Sequence, residues 1–448
     1  MPLLDIQPLK SMFHGELLEP SDSGYNDARQ IWNASVEKHP ALIARCSGVA
    51  DIIAAVNFAR ENNLLTAIRG GGHNVGGRAL CDDGIVINLS RMRSVHVDPT
   101  KSTVRIQGGA TLGDLDRETH AFGLAVPSGV VPKTGIAGLT LGGGVGWLLR
   151  KYGMSIDNLL SCQVVTADGR VLTASASENE DLFWALRGGG GNFGVVASLE
   201  FQAHPVHTVV GGLVIYPRDA AVDVIRNFRD YIESAPDEVT AYAAFLHLPD
   251  GTAVVGVVPC YCGAISEAAI VLEPLRKFGS PILDTVQPIP FPSMQSLFGP
   301  SFPDGNHNYW KSSLQRDLSD EAIATNDQHA NRMTSPLSAL ILEYYGGAAG
   351  RVANDATAFP HRNLPWDILM VAQWTDPAET ARHRDWARAT EEALRPFSAG
   401  AHILAALDVE SEDVINTAFG ANLPRLAAIK RKYDPANFFR VNQNIKPA

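Results

Sequence analysis

The amino-acid sequence predicts an α+β chain whose later part is an antiparallel sheet backed by helices. Three observations carry that expectation. Of the 40 glycines in 448 residues, 24 lie between Gly70 and Gly194, so the first part must join short strands and helices through loops that need positive φ or close backbone approach. After Pro205 the glycines thin out, and segments of about ten residues alternate between β and α character. The tail, from Lys432-Tyr433-Asp434-Pro435 to Pro447, returns to a turn-rich polar style and is expected to fold back onto the first part. At roughly 150 residues per domain the length allows two to three.

In chain order, Ile52, Ile53, Val56, Phe58 and Ala59 recur at helical spacing within Val49 to Asn63, and Thr66-Ala67-Ile68 then reads as a strand ending at Arg69. Strands are expected at Gly84 to Asn88, Val95 to Asp98 and Thr103 to Gln107, with a helix at Ala110 to Phe122. Ala167-Asp168-Gly169, between Val164-Val165 and Val171-Leu172, signals a hairpin turn. A capped helix at Asn179 to Arg187 runs into four glycines and a strand at Val195 to Phe201. Segments of β or α character follow at Val209 to Tyr216, Ala220 to Ser234, Val239 to Leu248, Ala253 to Pro259 and Ser266 to Phe278. Helices at Asp320 to Arg332 and Pro377 to Leu394, and strands at Leu337 to Tyr344, Asp367 to Trp374 and Ile403 to Leu407, complete the second part.

Composition excludes several classes of partner. The formal charge is 37 − 48 = −11 with no long Lys/Arg cluster, so neither nucleic acid nor an anionic membrane is an expected partner. The uncharged apolar stretch from Thr134 to Leu149 is 16 residues, short of the ~20 a membrane helix needs. Five cysteines in so long a chain suit a reducing compartment, and Cys260-Tyr-Cys262 lacks the second half a zinc site would need, so no metal is expected. The opening residues lack a basic flank followed by an unbroken apolar run, and a cytoplasmic location is expected.

The motifs that are missing narrow the chemistry further. There is no GxxxxGK[ST], HExxH, GxSxG or CxxC, which removes the common NTPase, zinc-protease, serine-hydrolase and dithiol readings. Gly142-Gly143-Gly144-Val145-Gly146 and Gly188 to Gly191 also fail the spacing and context of a dinucleotide fingerprint. The informative segment is Arg69-Gly70-Gly71-Gly72-His73-Asn74-Val75-Gly76-Gly77, directly after a predicted strand. Its consecutive glycines let main-chain N–H groups converge into an anion nest suited to a pyrophosphate. His73 leaves that nest either as a plain turn histidine or as a functional one. An extended ligand would also need the Thr134 to Gly146 and Gly188 to Gly194 loops.

These residues resemble a known family. Arg69-x-Gly-Gly-His73-x-x-x-Gly77, Leu141-Gly-Gly-Gly-x-Gly-Trp147 with Asp157-Asn158, and Asp181-Leu-Phe-Trp-Ala-Leu-Arg-Gly-Gly-Gly-Gly-Asn-Phe-Gly194 resemble the vanillyl-alcohol-oxidase superfamily, within it the berberine-bridge-enzyme-like FAD oxidases. The tail from Arg425 to Ile445, Tyr309-Trp310-Lys311 and Thr357 to Arg362 complete the pattern over nearly the whole chain, in a layout similar to the short bacterial members. The resemblance implies a two-part PCMH-type FAD-binding domain at 1–205 (its core about 36–207), a substrate domain at 206–408, and a segment at 409–448 that returns to the first.

The resemblance further implies FAD joined covalently to His73. Where many relatives add a cysteine link this chain has Val131, which cannot form a thioether, so a single link is expected. Cofactor contacts carried over are Arg69, Gly70, Gly71, Gly72, His73, Asn74 and Gly77 in the first loop. Thr134, Gly135, Gly138, Gly142, Gly143, Gly144 and Gly146 follow in the second, then Asn158, Gly194 and Val195, with Asn442 and Asn444 in the tail. Relatives that oxidise sugars carry a tyrosine base in the strand matching Ala401 to Asp408, and this chain has none there. His402, Tyr309, Lys311 and Tyr345 are the candidates left for catalysis. The implied activity is hydride transfer from a small amine or an activated C–H or alcohol to flavin, with O2 as the electron acceptor and H2O2 as product. A natural-product dehydrogenase or oxidative cyclase is the alternative enzyme, and a flavin-binding module with a decayed redox site the non-enzyme alternative. The partners expected are thus a small-molecule substrate and O2, the protein being a monomer or homodimer.

Overall fold

A computed structural model describes residues 4–403 and 411–448. Strands β1 (Glu16–Leu18), β2 (Leu42–Arg45), β3 (Thr66–Arg69) and β4 (Ile85–Asn88) form a sheet in the order β1-β2-β4-β3. β4 is parallel to both β2 and β3, so β2 and β3 need a crossover between them, and helix α1 (Val49–Glu61) supplies it. A second, antiparallel sheet has β5 (Val95–Asp98), β6 (Thr103–Gln107), β7 (Leu159–Val165), β8 (Val171–Ser175) and β9 (Val195–Gln202) in the order β5-β6-β9-β7-β8. Its apolar face packs on α2 (Leu112–His120), α3 (Ile136–Leu141) and α4 (Glu180–Leu186) through Leu115, Ile136 and Leu182.

Helix α2 starts two residues later than the apolar spacing suggests. The reason is a reciprocal cap, in which Thr111 Oγ1 accepts from the Asp114 N–H at 3.3 Å and Asp114 Oδ2 accepts from the Thr111 N–H at 2.8 Å. Helix α4 lacks the cap expected of Asn179, which adopts φ 48° while its amide donates to the Thr173 carbonyl at 2.7 Å.

Between Pro205 and Thr208 the chain passes to a nine-stranded antiparallel sheet. Its strands are β10 (Thr208–Gly211), β11 (Val214–Pro217), β12 (Val239–His247), β13 (Ala253–Tyr261), β14 (Leu283–Asp284), β15 (Gln287–Pro290), β16 (His307–Gln315), β17 (Ala339–Tyr344) and β18 (Trp366–Trp374). The main order is β14-β11-β13-β12-β17-β18-β16, with β10 joining β13 to β15. One face is covered by α5 (Ala221–Ser234), α7 (Asp320–Ala330) and α8 (Thr380–Leu394), with α6 (Phe291–Gln295) set against α2 at the junction of the two parts. Phe228, Ile323 and Trp386 pack there on Phe245, Leu342 and Ile368.

The second part departs from the sequence reading in three places, and a fourth expectation lies almost wholly outside the described residues. β16 is a full strand the reading missed, because its run of Asn, His, Lys and Ser masks nine residues of pairing with β18. Val209 to Tyr216 is two strands, interrupted at Gly212 (φ 153°), where a Cβ would lie 2.7 Å from the Thr285 carbonyl oxygen. Ser266 to Phe278 holds two short helical turns, Ala268–Val271 and Glu273–Arg276. Of the strand expected at Ile403 to Leu407, all but Ile403 lies outside the described residues.

The tail docks on the first part. After α9 (Glu412–Phe419) and α10 (Leu423–Tyr433), the fully buried Lys430 Nζ donates to Asp434 Oδ2 at 2.6 Å and to the carbonyls of Asn192 (2.7 Å) and Phe439 (2.9 Å). Asp434 in turn accepts from the N–H groups of Phe438 and Phe439, so every charge in this buried pair has polar partners. Phe438 and Phe439 enter the core beside Phe58 and Ile85.

Candidate active site

A cavity lies between the glycine loops of the first part and the open face of the nine-stranded sheet. Of the residues expected at a cofactor, Gly70, Gly71, Gly72, His73, Asn74, Thr134, Gly135, Gly138, Gly142, Gly144, Gly194 and Asn442 line it. The loops are pressed together where it begins: a Cβ on Gly71 would stand 2.4 Å from the Gly135 nitrogen. Gly72, in contrast, is needed for its φ of 73°. Gly188 to Gly191 also line the cavity.

The remaining expected contacts sit behind the lining. Arg69 Nη1 donates to the Ala28 carbonyl at 2.6 Å, and Gly77 packs on Val36. Gly143 backs onto Phe359 and Gly146 onto the Ser128 carbonyl. Asn158 donates to the carbonyls of Tyr152 and Met154 and pairs with His204 at 2.6 Å, and Val195 is core. These six therefore shape the loops without reaching the cavity. Asn444 is placed in the tail segment anchored by Asn192, whose amide donates to the Gln443 carbonyl and whose Oδ1 accepts from the Ile445 N–H.

His73 is stacked, with one buried ring nitrogen left unpaired among the described residues. Its ring stacks on Trp32 at 4.3 Å and 12°, and its Nε2 is buried with no partner among the described residues. Burial pushes the imidazole down to about 4, so it is uncharged at neutral pH. Asn442 Oδ1 and Asn444 Oδ1 are likewise buried and unpartnered, although Asn442 Nδ2 donates to the Gly191 carbonyl. Unfilled polar atoms beside a glycine cradle fit a bound group with its own donors and acceptors, as the implied FAD has.

The opposite wall follows from strand alternation. In β16, Trp310 faces the cavity, and Ser312, two residues on, reaches the cavity-lining Asp367. Tyr309 and Lys311 point the other way, a correction to their reading as catalytic candidates. Tyr309 lies under Arg384 and Arg388 of α8, and Lys311 pairs with Glu391 at 3.2 Å. His402 is also turned away: its Nδ1 lies 2.6 Å from the Ser312 carbonyl, and it is absent from the cavity lining. Of the four candidates, the cavity holds Tyr345.

Tyr345 belongs to a buried cluster that the sequence reading missed. Its hydroxyl donates to Glu343 Oε2 and lies 3.2 Å from Asp367 Oδ2, while Ser312 Oγ donates to Asp367 Oδ1 at 2.7 Å. Glu343 and Asp367 are direct cross-strand partners on β17 and β18. Burial raises Glu343 to about 8, with the Asp367 charge adding to the rise. Burial also raises Asp367 to about 6, opposed by its bonds from Ser312 and Tyr345. Two carboxyls poised near neutrality within a cavity are suited to proton transfer. A sequence signal existed: Asp367 is a lone acid in a nine-residue strand that is otherwise apolar apart from Gln373.

Known proteins bear on this geometry. The sequence model of the family described as FAD binding domain matches residues 40–175, and that described as Berberine and berberine like matches residues 406–446. The chain is 32% identical over 435 residues to an FAD-linked oxidoreductase of Dictyostelium discoideum, covering 95% of this chain and 93% of the relative. It is 32% identical over 453 residues to the (R)-6-hydroxynicotine oxidase of Paenarthrobacter nicotinovorans, covering 97% of each. The crystal structure of 6-hydroxy-D-nicotine oxidase from Arthrobacter nicotinovorans matches with a TM-score of 0.90 at 31% identity, over 99% of both chains.

Proposed function

The chain belongs to the berberine-bridge-enzyme-like FAD-linked oxidoreductases, and from that premise we propose that it is an oxidase carrying FAD on His73, with O2 as acceptor and H2O2 as product. The observation that carries the reading is the Tyr345, Glu343 and Asp367 cluster opening into the cavity that His73 lines. A site that had lost its redox role would have no reason to keep two carboxyls out of water, where burial disfavours their ionisation.

Bound flavin supplies a hydride acceptor and an exit for electrons to oxygen. The chain's own residues do the rest. The loops meeting at Gly71 and Gly135 present main-chain N–H groups to the pyrophosphate, and Asn442 offers its carbonyl oxygen to the polar edge of the ring. His73 is kept neutral by burial, so its Nε2 lone pair is available for the covalent link, and Val131 offers no second one. Asp367, oriented by Ser312 and Tyr345, takes the substrate proton.

Acid precipitation of the purified protein tests the link. The flavin should stay with the wild-type protein and leave His73→Ala, which should still bind it reversibly. Complete release from the wild type would remove the covalent assignment. Asp367→Asn should keep its flavin and lose turnover by roughly 10²- to 10⁴-fold, and full activity in that variant would remove the base.

A further inference from the structure

The stretch from Ile31 to Ser35 has an irregular backbone and carries no motif, yet it runs between the His73 loop and the start of β16 and is bonded to both. The Trp32 N–H donates to the Gly72 carbonyl at 3.4 Å, and the Trp32 carbonyl accepts from the Gly305 N–H at 3.3 Å. The Ala34 N–H donates to the Asn306 carbonyl at 3.0 Å. Asn33, which is buried, completes the join. Its Nδ2 donates to the carbonyls of Val75 (2.8 Å) and Asn308 (3.0 Å), and its Oδ1 accepts from the Asn308 N–H at 2.9 Å. With both amide hydrogens and the oxygen of Asn33 occupied, the stretch is a built strap and not a loose linker.

This strap sets the Trp32 ring face to face with His73. The indole is itself held: its Nε1 donates to the Phe302 carbonyl at 3.1 Å, Trp310 meets it edge-on at 5.5 Å and 76°, and it is 4% exposed. His73 has less support of its own. Glycines flank it at Gly70 to Gly72 and at Gly76 and Gly77, so its backbone does little to restrict the ring, and its Nε2 has no partner among the described residues. The imidazole plane is therefore set by the indole, and the indole by Phe302 and Trp310 of the second part.

On the reading of His73 as the point of flavin attachment, on which this inference rests, we propose that Trp32 is the positioning residue for forming that link. It holds the imidazole so that the free ring nitrogen meets the 8-methyl carbon of the flavin. The step forms one N–C bond and breaks one methyl C–H bond. The imidazole gives up its single proton, and two electrons and two protons pass to dioxygen, which leaves as hydrogen peroxide. Trp32 enters none of these bonds. Its contribution is orientation, where a displacement of about 1 Å can change a rate on the order of a hundredfold.

The share of bound flavin that stays in the acid pellet tests this, measured on full-length protein from matched cultures and again after incubation with FAD in air. Trp32→Leu should lower the linked share about tenfold or more at equal total flavin. Trp32→Phe, which keeps a stack but not the N–H, should recover much of that loss. Trp32→Met fills the space without a flat face and serves with the same expected loss if the leucine variant does not fold. In a His73→Ala background, where flavin is held reversibly, Trp32→Leu should leave the Kd for FAD within about twofold. A linked share in Trp32→Leu or Trp32→Met equal to that of the wild type overturns the proposal, as does a Trp32→Phe protein no better linked than they are. Reversible binding that weakens as much as linking would make Trp32 a general prop of the site and overturn it too. Complete release of flavin from the wild type would instead overturn the covalent reading itself, and this proposal with it.

Discussion

Gly71 and Gly135 meet backbone to backbone with no room for a side chain on either: a Cβ on one would lie 2.4 Å from the main-chain nitrogen of the other. Neither has a positive φ, so the constraint is proximity and not left-handed geometry. Gly71→Ala should therefore separate the two loops, giving protein with little flavin and a lowered Tm. Gly138 provides the contrast, since a Cβ there meets no protein atom, although the residue lines the cavity. Because it lies within helix α3, Gly138→Ala should hold or raise the Tm of flavin-free protein while weakening flavin retention. Absorbance at the flavin band against that at 280 nm, with thermal melts, separates the cases, and a Gly71→Ala protein that loads normally would contradict the close contact.

The acidity of Asp367 sets a sign for the pH profile. Burial holds this carboxyl at about 6, so it is protonated and cannot accept a proton below that pH. Activity measured as kcat/KM should rise about tenfold per pH unit below 6 and level off above it. Asp367→Asn should erase that limb from the residual activity. A wild-type profile flat from pH 4.5 to 7 would show that another group takes the proton.

How much of this was legible in the sequence differs between the two walls. The glycine loops and His73 were readable because what they need is local: Gly72 requires positive φ, and strand β3 delivers the loop to the cavity. The sheet wall depends on parity, which one residue of register reverses. Tyr309, Trp310 and Lys311 are adjacent in sequence, yet pairing of β16 with β18 sends the outer two to α8 and Trp310 to the cavity. The cross-strand row from Tyr242 through Glu343 to Asp367 joins residues 125 positions apart, and no motif encodes it. Why seven positions of the motif set, Val195 among them, fall outside the lining of this cavity is equally non-local, since their partners, such as Val36 and Phe359, come from elsewhere in the chain.

Tyr309 and Lys311 make a discriminating pair of substitutions. Their contacts are structural: the Arg388 Nε donates to the Tyr309 hydroxyl at 3.2 Å, and Lys311 pairs with Glu391. Tyr309→Phe should cost about 1 kcal/mol of stability with turnover within twofold of wild type. Lys311→Met should behave alike in turnover. Urea melts and steady-state rates read the two effects separately, and a large fall in kcat for either variant would place that residue in the chemistry after all.

Asp116 connects the two parts of the chain by a contact whose strength depends on pH. It is fully buried on α2, with its Oδ2 accepting from Gln295 Nε2 of α6 at 3.1 Å, and the same amide reaches Ser128 Oγ at 3.1 Å. Burial raises its carboxyl to about 7, the Gln295 bond opposing the rise. In the unfolded chain the same group titrates near 3.9, so folding holds a proton that the unfolded state releases between those values. Stability from this group is therefore full below about pH 4 and is lost progressively as pH rises to 7, by on the order of 4 kcal/mol once both states are ionised. Asp116→Asn removes the ionisation and keeps the shape, and the new amide would donate to Gln295 Oε1, which has no partner among the described residues. The variant should thus melt higher than wild type at pH 8 and show a flatter curve of Tm against pH from 4 to 8. Other buried acids, Glu343 and Asp367 among them, keep their own slope in both proteins, so the difference between the two curves isolates Asp116. Parallel curves would mean that Asp116 is hydrated in the folded protein and that the junction between α2 and α6 is open to water.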